Sequence, residues 1–487
     1  MGDQALIRIP EKGLSEDEVF KRLTAFSDRD IPWREGKTLA YIYDGGPDVE
    51  RVAKRAYMQY LTENALDPTV YPSLPQIENE LVSMAASLLG GDENVVGNFV
   101  TGGTEGCLLA VKTARDWFRA QHPDVKEPEI VLPVTAHAAF HKGADYFGLK
   151  KVMVPVDSGS FKAIPAAIEK AITGRTALIV ASACSYAHGV VDPVPEIAAI
   201  AKARDVLFHV DGAIGGFVLP YFKRLGAKVT PFDFSVPGVT SITMDYHKYA
   251  YCPKGAAIIL YRNKDIRRFQ LFATADWTGY TLVNPSITSA RSGGPMAAAW
   301  AVLNFVGDNG YLEFARRSLE ATRKIVAGIR AIPHLKVLGE PESNLVAFTA
   351  EGFSVFPIID EMKERGWYIQ PQFGYHGSIE NIHLSIGQSA LEKVDGFLKD
   401  LAASAEAASK IPQSPVVALV KAELAKMQPG QAPDRAMLVQ LMQALGVQGA
   451  RLPSRGAALN QVLNVLPPNL TKLALTEYFN DLFVQPR

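Results

Sequence analysis

Between Asn98 and Leu260 short runs of branched and apolar residues recur, at 130–132, 151–154, 177–181, 206–210, 240–243 and 256–261, each separated from the next by a segment of helical length. Runs that are apolar on both faces suit strands covered on both sides, and intervening helices are what parallel neighbours require. The expected fold class is α/β, a large and mostly parallel sheet. The pattern breaks at 276–295, which is rich in Gly, Ser, Thr and Pro and reads as an extended loop. Beyond it come helices at 296–305 and 311–332, strands at 336–338, 344–348 and 381–385, and helices at 354–365 and 391–409, which together predict a smaller α+β domain. Upstream, Ile77, Leu81, Met84 and Leu88 share one face of a helix at 75–89. The first forty residues are polar, with a helix at 16–26, and read as an arm that packs on something else. Three parts follow: an N-terminal arm, 1–60; a large domain, 61–310; and a small C-terminal domain with its tail, 311–487.

Charge and cysteine content exclude several classes of function. Fifty basic residues face 51 acidic ones in a chain of 487, with no run of five like charges, so nucleic acid is not an expected partner. The three cysteines, Cys107, Cys184 and Cys252, have no C-x-x-C spacing, which argues for neither a disulfide framework nor a zinc site and fits a reducing compartment. No segment has the uninterrupted apolar length of a membrane span, and the N-terminus lacks a signal-peptide pattern. The expectation is a cytoplasmic protein with no membrane anchor and no metal.

Three motifs carry chemistry. Thr101-Gly102-Gly103-Thr104-Glu105-Gly106 follows an apolar run and opens a helix. Such a turn offers free N–H groups to a phosphate, although a glycine loop that merely starts a helix reads the same way. Phe208-His-Val-Asp211-Gly ends a buried strand in a carboxylate. At the carboxyl end of a parallel strand that group can pair with a protonated pyridine nitrogen, or it can cap the next turn. Lys248, between His247 and Tyr249 and just past a strand, is no ordinary surface lysine; a buried site beside the positive charge of Lys254 is expected to lower its pKa. His247 is a candidate donor to a phosphate.

In this order the motifs resemble the group II pyridoxal-phosphate (PLP) dependent decarboxylases of fold type I, and within them the sphingosine-1-phosphate lyases. The likeness runs from about Lys37 to at least Tyr311, through Asn64-Ala-Leu-Asp-Pro, the Thr-Gly-Gly-Thr-Glu loop, Thr135-Ala-His-Ala-Ala-Phe-His-Lys-Gly, His188-Gly-Val-Val-Asp-Pro, His247-Lys248 and Ser289-Ala-Arg-Ser-Gly-Gly. The resemblance implies PLP as cofactor and Lys248 as its Schiff-base lysine, with Asp211 and His137 as catalytic partners. It implies cofactor contacts from Gly102, Gly103, Thr104, His188, His247, Ser289 and Gly293, and substrate contacts from Tyr43, Asn64, Asp67 and Lys254. The loop 289–294 is implied to reach a neighbouring subunit's active site, giving a homodimer with shared sites that acts on a small amine or amino acid.

Ala187 before His188-Gly and Tyr246 before His247-Lys248 depart from the family pattern, and one further departure matters more. Where the lyases carry a histidine that helps hold the substrate phosphate, this chain has Asp67, and an anion there repels a phosphate. Two enzymatic readings stay open: a carbon–carbon lyase that splits a phosphorylated 3-hydroxy amine into an aldehyde and phosphoethanolamine, and an amino-acid decarboxylase, which Asp67 favours. A third reading, a binding protein that kept the fold, requires loss of the lysine or of the glycine loop, and both are present.

Overall fold

The computed structural model describes residues 7–426, 441–447 and 451–484. The six alternating runs, with Val96–Val100 ahead of them, form one seven-stranded sheet: β1 (Val96–Val100), β2 (Glu129–Pro133), β3 (Lys150–Val154), β4 (Thr176–Ser182), β5 (Leu207–Asp211), β6 (Ser241–Asp245) and β7 (Ala257–Tyr261). Their order is β1-β7-β6-β5-β4-β2-β3. The five strands β2 to β6 run parallel, and β7 lies antiparallel between β1 and β6. Every residue of β2, β4, β5, β6 and β7 is buried, as continuous apolar runs require when helices cover both faces. The fold class is the one the sequence implied.

Residues 276–295, read as an extended loop, contain one arm of a hairpin: Phe272–Thr274 pairs antiparallel with Leu282–Asn284. The two helices expected at 296–305 and 311–332 are found, joined in one run, Gly293–Ala331, that breaks at Gly307, whose angles (φ 65, ψ 171) are not helical. Its first half packs Met296, Ala299 and Val302 into the core of the large sheet, and its second half packs Ala321, Ile325 and Ile329 into the core of a four-stranded sheet. The expected boundary at 310/311 therefore falls inside this helix. The smaller sheet is antiparallel: Leu335–Val337, Leu345–Ala350, Asn381–Ser385 and Gln370–Gln372 lie in that order. The last of these strands was not expected.

The N-terminal helix Glu16–Ser27 buries no residue, and Phe20, Leu23 and Phe26 on it are exposed. Helices Pro415–Lys426, Ala457–Val465 and Pro468–Leu482 belong to a separate apolar cluster at the C-terminal end. No helix among the described residues is long and apolar enough to cross a membrane.

Candidate active site

The carboxyl ends of β4, β5 and β6 and the loops after β1 and β2 converge on a cavity of about 600 Å³, the place where open α/β sheets bind ligands. β6 ends in Asp245, and the chain then turns through Tyr246, His247 and Lys248. Two tyrosines pin that turn. Tyr246 is fully buried and its hydroxyl donates to Leu81 O at 2.6 Å, while buried Tyr249 meets the Tyr43 ring edge-on at 5.1 Å. Lys248 therefore projects into the cavity from an anchored backbone.

Lys248 Nζ lies 2.9 Å from Asp245 Oδ2, and His247 Nε2 lies 3.4 Å from the same oxygen. The expected lowering of the Lys248 pKa is not found. Burial does push it down, but the carboxylate of Asp245, with Tyr43 and Asp211 adding to it, outweighs burial and the net shift is upward. The lysine held low is Lys254, by burial first and by the charge of Lys248 second.

On β5, Asp211 is buried, and its carboxylate accepts one hydrogen bond, from Ala213 N at 3.1 Å. Burial raises its pKa against the opposing pull of His137, the Ala213 N–H and Lys248. His137 caps helix Ala138–Phe147: its Nδ1 accepts from Ala139 N at 3.2 Å, which assigns the ring proton of the neutral form to Nε2. The helix Gly103–Gln121 starts without a side-chain cap, so its first N–H groups are open to an anion. Gly103 is required there, since a Cβ would come within 2.8 Å of Asp245 Oδ1 and 3.0 Å of Ala213 Cβ. Glu105 does not face a ligand with both oxygens: Oε2 accepts from Thr101 N and Oγ1, each at 2.7 Å, and Oε1 from Ile287 N at 2.8 Å, which ties the loop down.

The cavity thus gathers Gly102, Gly103, Thr104, His137, Asp211, His247, Lys248, Lys254 and Tyr43. Five other candidates lie outside it. His188 is 1 % exposed, stacks on Phe161 at 4.0 Å and lines a neighbouring cavity. Asn64, Asp67, Ser289 and Gly293 belong to two loops that join each other, through Ala65 N to Arg291 O at 2.8 Å and Gly293 N to Glu63 O at 2.8 Å. Asp67 is committed to its own turn, accepting from Thr69 N at 2.8 Å and Thr69 Oγ1 at 2.6 Å, and these bonds hold its carboxyl below the usual range. Sequence reasoning missed Asp245, although its position at a strand end three residues before Lys248 repeats the logic applied to Asp211. It also missed Tyr41 and Tyr186, which line the same cavity.

The residues fit pyridoxal phosphate by their chemistry. A primary amine, a buried carboxylate with one partner, an imidazole with a free Nε2 and an uncapped helix start face one cavity, and two buried polar atoms there, Asp245 Oδ1 and His247 Nδ1, have no partner. Comparison with known proteins agrees. Residues 33–351 match the pyridoxal-dependent decarboxylase conserved domain, and 415–481 match HTH_PLP, a C-terminal domain of pyridoxal-dependent enzymes. The chain is 37 % identical to rat sphingosine-1-phosphate lyase 1 over 410 residues, 83 % of this chain and 71 % of that one. It is 32 % identical to L-aspartate decarboxylase of Thermococcus kodakarensis over 392 residues, 80 % of this chain and 98 % of that one. The solved sphingosine-1-phosphate lyase of Burkholderia pseudomallei superposes with a TM-score of 0.80 at 32 % identity, covering 87 % of this chain and 98 % of its own.

Proposed function

The chain belongs to the pyridoxal-dependent decarboxylase family and is a PLP-dependent lyase, and from that premise we propose that it cleaves a phosphorylated 3-hydroxy amine of the long-chain-base type into an aldehyde and phosphoethanolamine. The observation that carries the substrate is Lys254. It shares the cavity with Lys248, sits with Nζ 4.6 Å over the Tyr43 ring, and forms no ion pair among the described residues. An ammonium at the cavity edge without a carboxylate partner is a receptor for an anionic group such as a phosphate. The chief support for a decarboxylase, Asp67, is weakened by its commitment to Thr69.

When bound, pyridoxal phosphate supplies an electron sink for the bond broken at Cα. Lys248 would hold it covalently, Gly102, Gly103 and Thr104 would hold its phosphate, His137 its ring face and Asp211 its ring nitrogen. Burial of Asp211 beside few other hydrogen-bond donors makes that pairing strong. Splitting the Cα–Cβ bond requires the proton of the 3-hydroxyl to leave. His137 presents an N–H and not a lone pair at Nε2, which points to the Lys248 amine as the acceptor, with Asp245 stabilising the ammonium that results. The released carbon takes a proton in turn, so the cleavage is balanced without water or an oxidant.

Ser289, Gly293, Asn64 and Asp67 serve the cavity of a second subunit in this reading. The hairpin next to them exposes Phe272, Trp277, Tyr280 and Val283, each about half accessible, as an interface between copies would. Three buried free cysteines fit a cytoplasmic setting. The test is to incubate the PLP-loaded protein with a phosphorylated long-chain base and with a panel of amino acids, following aldehyde, phosphoethanolamine and carbon dioxide. Aldehyde with equimolar phosphoethanolamine is expected; carbon dioxide from an amino acid, with no aldehyde, refutes the proposal. The visible absorbance of the bound cofactor is expected to vanish in Lys248→Ala.

A further inference from the structure

A second cavity, of about 320 Å³, adjoins the first and shares His137 and Tyr186 with it. A third, of about 460 Å³, adjoins it at Lys254 and Tyr43, and these two side cavities have no lining residue in common. They differ in character. The third bears Asp44, Glu50, Lys54 and Lys254 beside apolar Ile42, Val49 and Ala53, whereas no Asp, Glu, Lys or Arg lines the second, whose wall sets Val134, Ala136, Val156, Phe161 and Phe373 beside the neutral polar Gln372 and Asn381. Its one fully buried histidine, His188, is kept neutral by burial, with its pKa lowered to about 4.

The roof of the uncharged cavity is a hairpin that turns at His376 and Gly377 (φ 45 and 91), closed by Tyr375 N to Ser378 O at 2.9 Å and Ser378 N to Tyr375 O at 3.0 Å. Ser378 Oγ reaches down to His188 Nε2 at 3.0 Å. From the other side Asn464, on helix Ala457–Val465, grips the base of the hairpin: its Oδ1 accepts from Gly374 N at 2.7 Å and its Nδ2 donates to Glu380 Oε2 at 2.8 Å. That helix is itself fastened to the small domain, because Asp360 accepts from Gly456 N at 2.8 Å and Ala457 N at 3.0 Å. The C-terminal helices thereby reach the roof of this cavity through the Asn464 side-chain amide.

We propose that the uncharged cavity receives the aliphatic chain of the substrate, and that Asn464 is a positioning residue through which the C-terminal helical unit holds the roof over that chain. The proposal rests on the lyase reading. An anionic head drawn to Lys254 leaves the far end of the molecule the exit past His137 and Tyr186, and a hydrocarbon prefers a wall without charges.

The experiment uses the PLP-loaded full chain with 2-amino-3-hydroxyalkyl phosphates of long and short chain, and, as unreactive probes, hexadecyl and butyl phosphate in equilibrium binding. Two variants are compared with wild type: Ser158→Trp, which places an indole at the exposed lip of the cavity, and Asn464→Ala. Both are expected to lower kcat/KM for the long chain at least about tenfold relative to the short one, through KM and with kcat retained, and to narrow the gap in affinity between the two alkyl phosphates. An unaltered chain-length preference in Ser158→Trp, or a wild type with none, overturns the cavity assignment. A loss in Asn464→Ala that falls equally on both chain lengths overturns the positioning role. Should neither amine phosphate yield aldehyde, the lyase reading fails by itself, and the alkyl phosphate affinities still decide for or against the cavity.

Discussion

Replacing Asp245 by Asn keeps the shape of the side chain and removes the charge that faces Lys248 at 2.9 Å. At that separation a unit ion pair is worth about 6 kcal/mol with an effective dielectric near 20. If half of that is offset by desolvation of two poorly exposed ions, about 3 kcal/mol remains, which at about 1.4 kcal/mol per unit is roughly two units of Lys248 pKa. The sign is downward on substitution, because burial, which alone favours the neutral amine, is then less opposed. Covalent capture of pyridoxal phosphate needs the neutral amine, so its rate rises with pH until the lysine is deprotonated. The assay is stopped-flow absorbance of added cofactor against pH. The Asp245→Asn profile is expected to reach its plateau about two pH units below that of wild type, with faster capture near neutrality. Superimposable profiles, with circular dichroism showing both proteins folded, would refute the claim that Asp245 governs the protonation of Lys248.

Two further outcomes concern stability. Glu78 and Arg291 form a buried ion pair, and Glu78 Oε1 also accepts from Asn98 Nδ2 at 3.0 Å and Phe99 N at 2.8 Å; Glu78→Gln should lose about 3–5 kcal/mol in urea denaturation by leaving the guanidinium unpaired, and a loss under about 1 kcal/mol contradicts the pairing. His188, with its pKa lowered to about 4, binds a proton in the unfolded chain but not in the folded one between that value and the ordinary 6.5. Folding stability therefore rises with pH across this window, by about 1.4 kcal/mol per pH unit for this residue. His188→Asn is expected to flatten the slope of stability against pH by about that amount, and an unchanged slope excludes the assignment.

The sequence was most informative where one physical demand governed a whole segment. Five strands of the large sheet, β2 and β4 to β7, are buried along their whole length, and their largely apolar runs could be read. Gln370–Gln372 escaped notice because it is an edge strand of polar residues around Pro371, tolerated there since an edge does not need every N–H. The division of Gly293–Ala331 into two helices was legible from the turn-like string Gly307-Asp308-Asn309-Gly310, and the chain does break its helical angles at Gly307. Lys248 was recognisable from its motif, yet its protonation was misjudged because the deciding carboxylate comes near through a turn whose shape is set by Tyr246 and Tyr249. Asp67 drew attention through one substitution, and the turn it makes with Thr69, two residues on, went unread although Asp-Pro-Thr is a turn-forming string.

The helix Gly293–Ala331 acts as an axle shared by two wheels. Both hydrophobic cores grip it, and its first turn is continuous with the loop 289–293 that borders Asn64. Any swing of the small domain about the large one must either twist at Gly307, the one residue of the helix with non-helical angles, or drag that loop along. A residue with a side chain at 307, where φ is 65, would strain the joint itself and so disturb both halves at once.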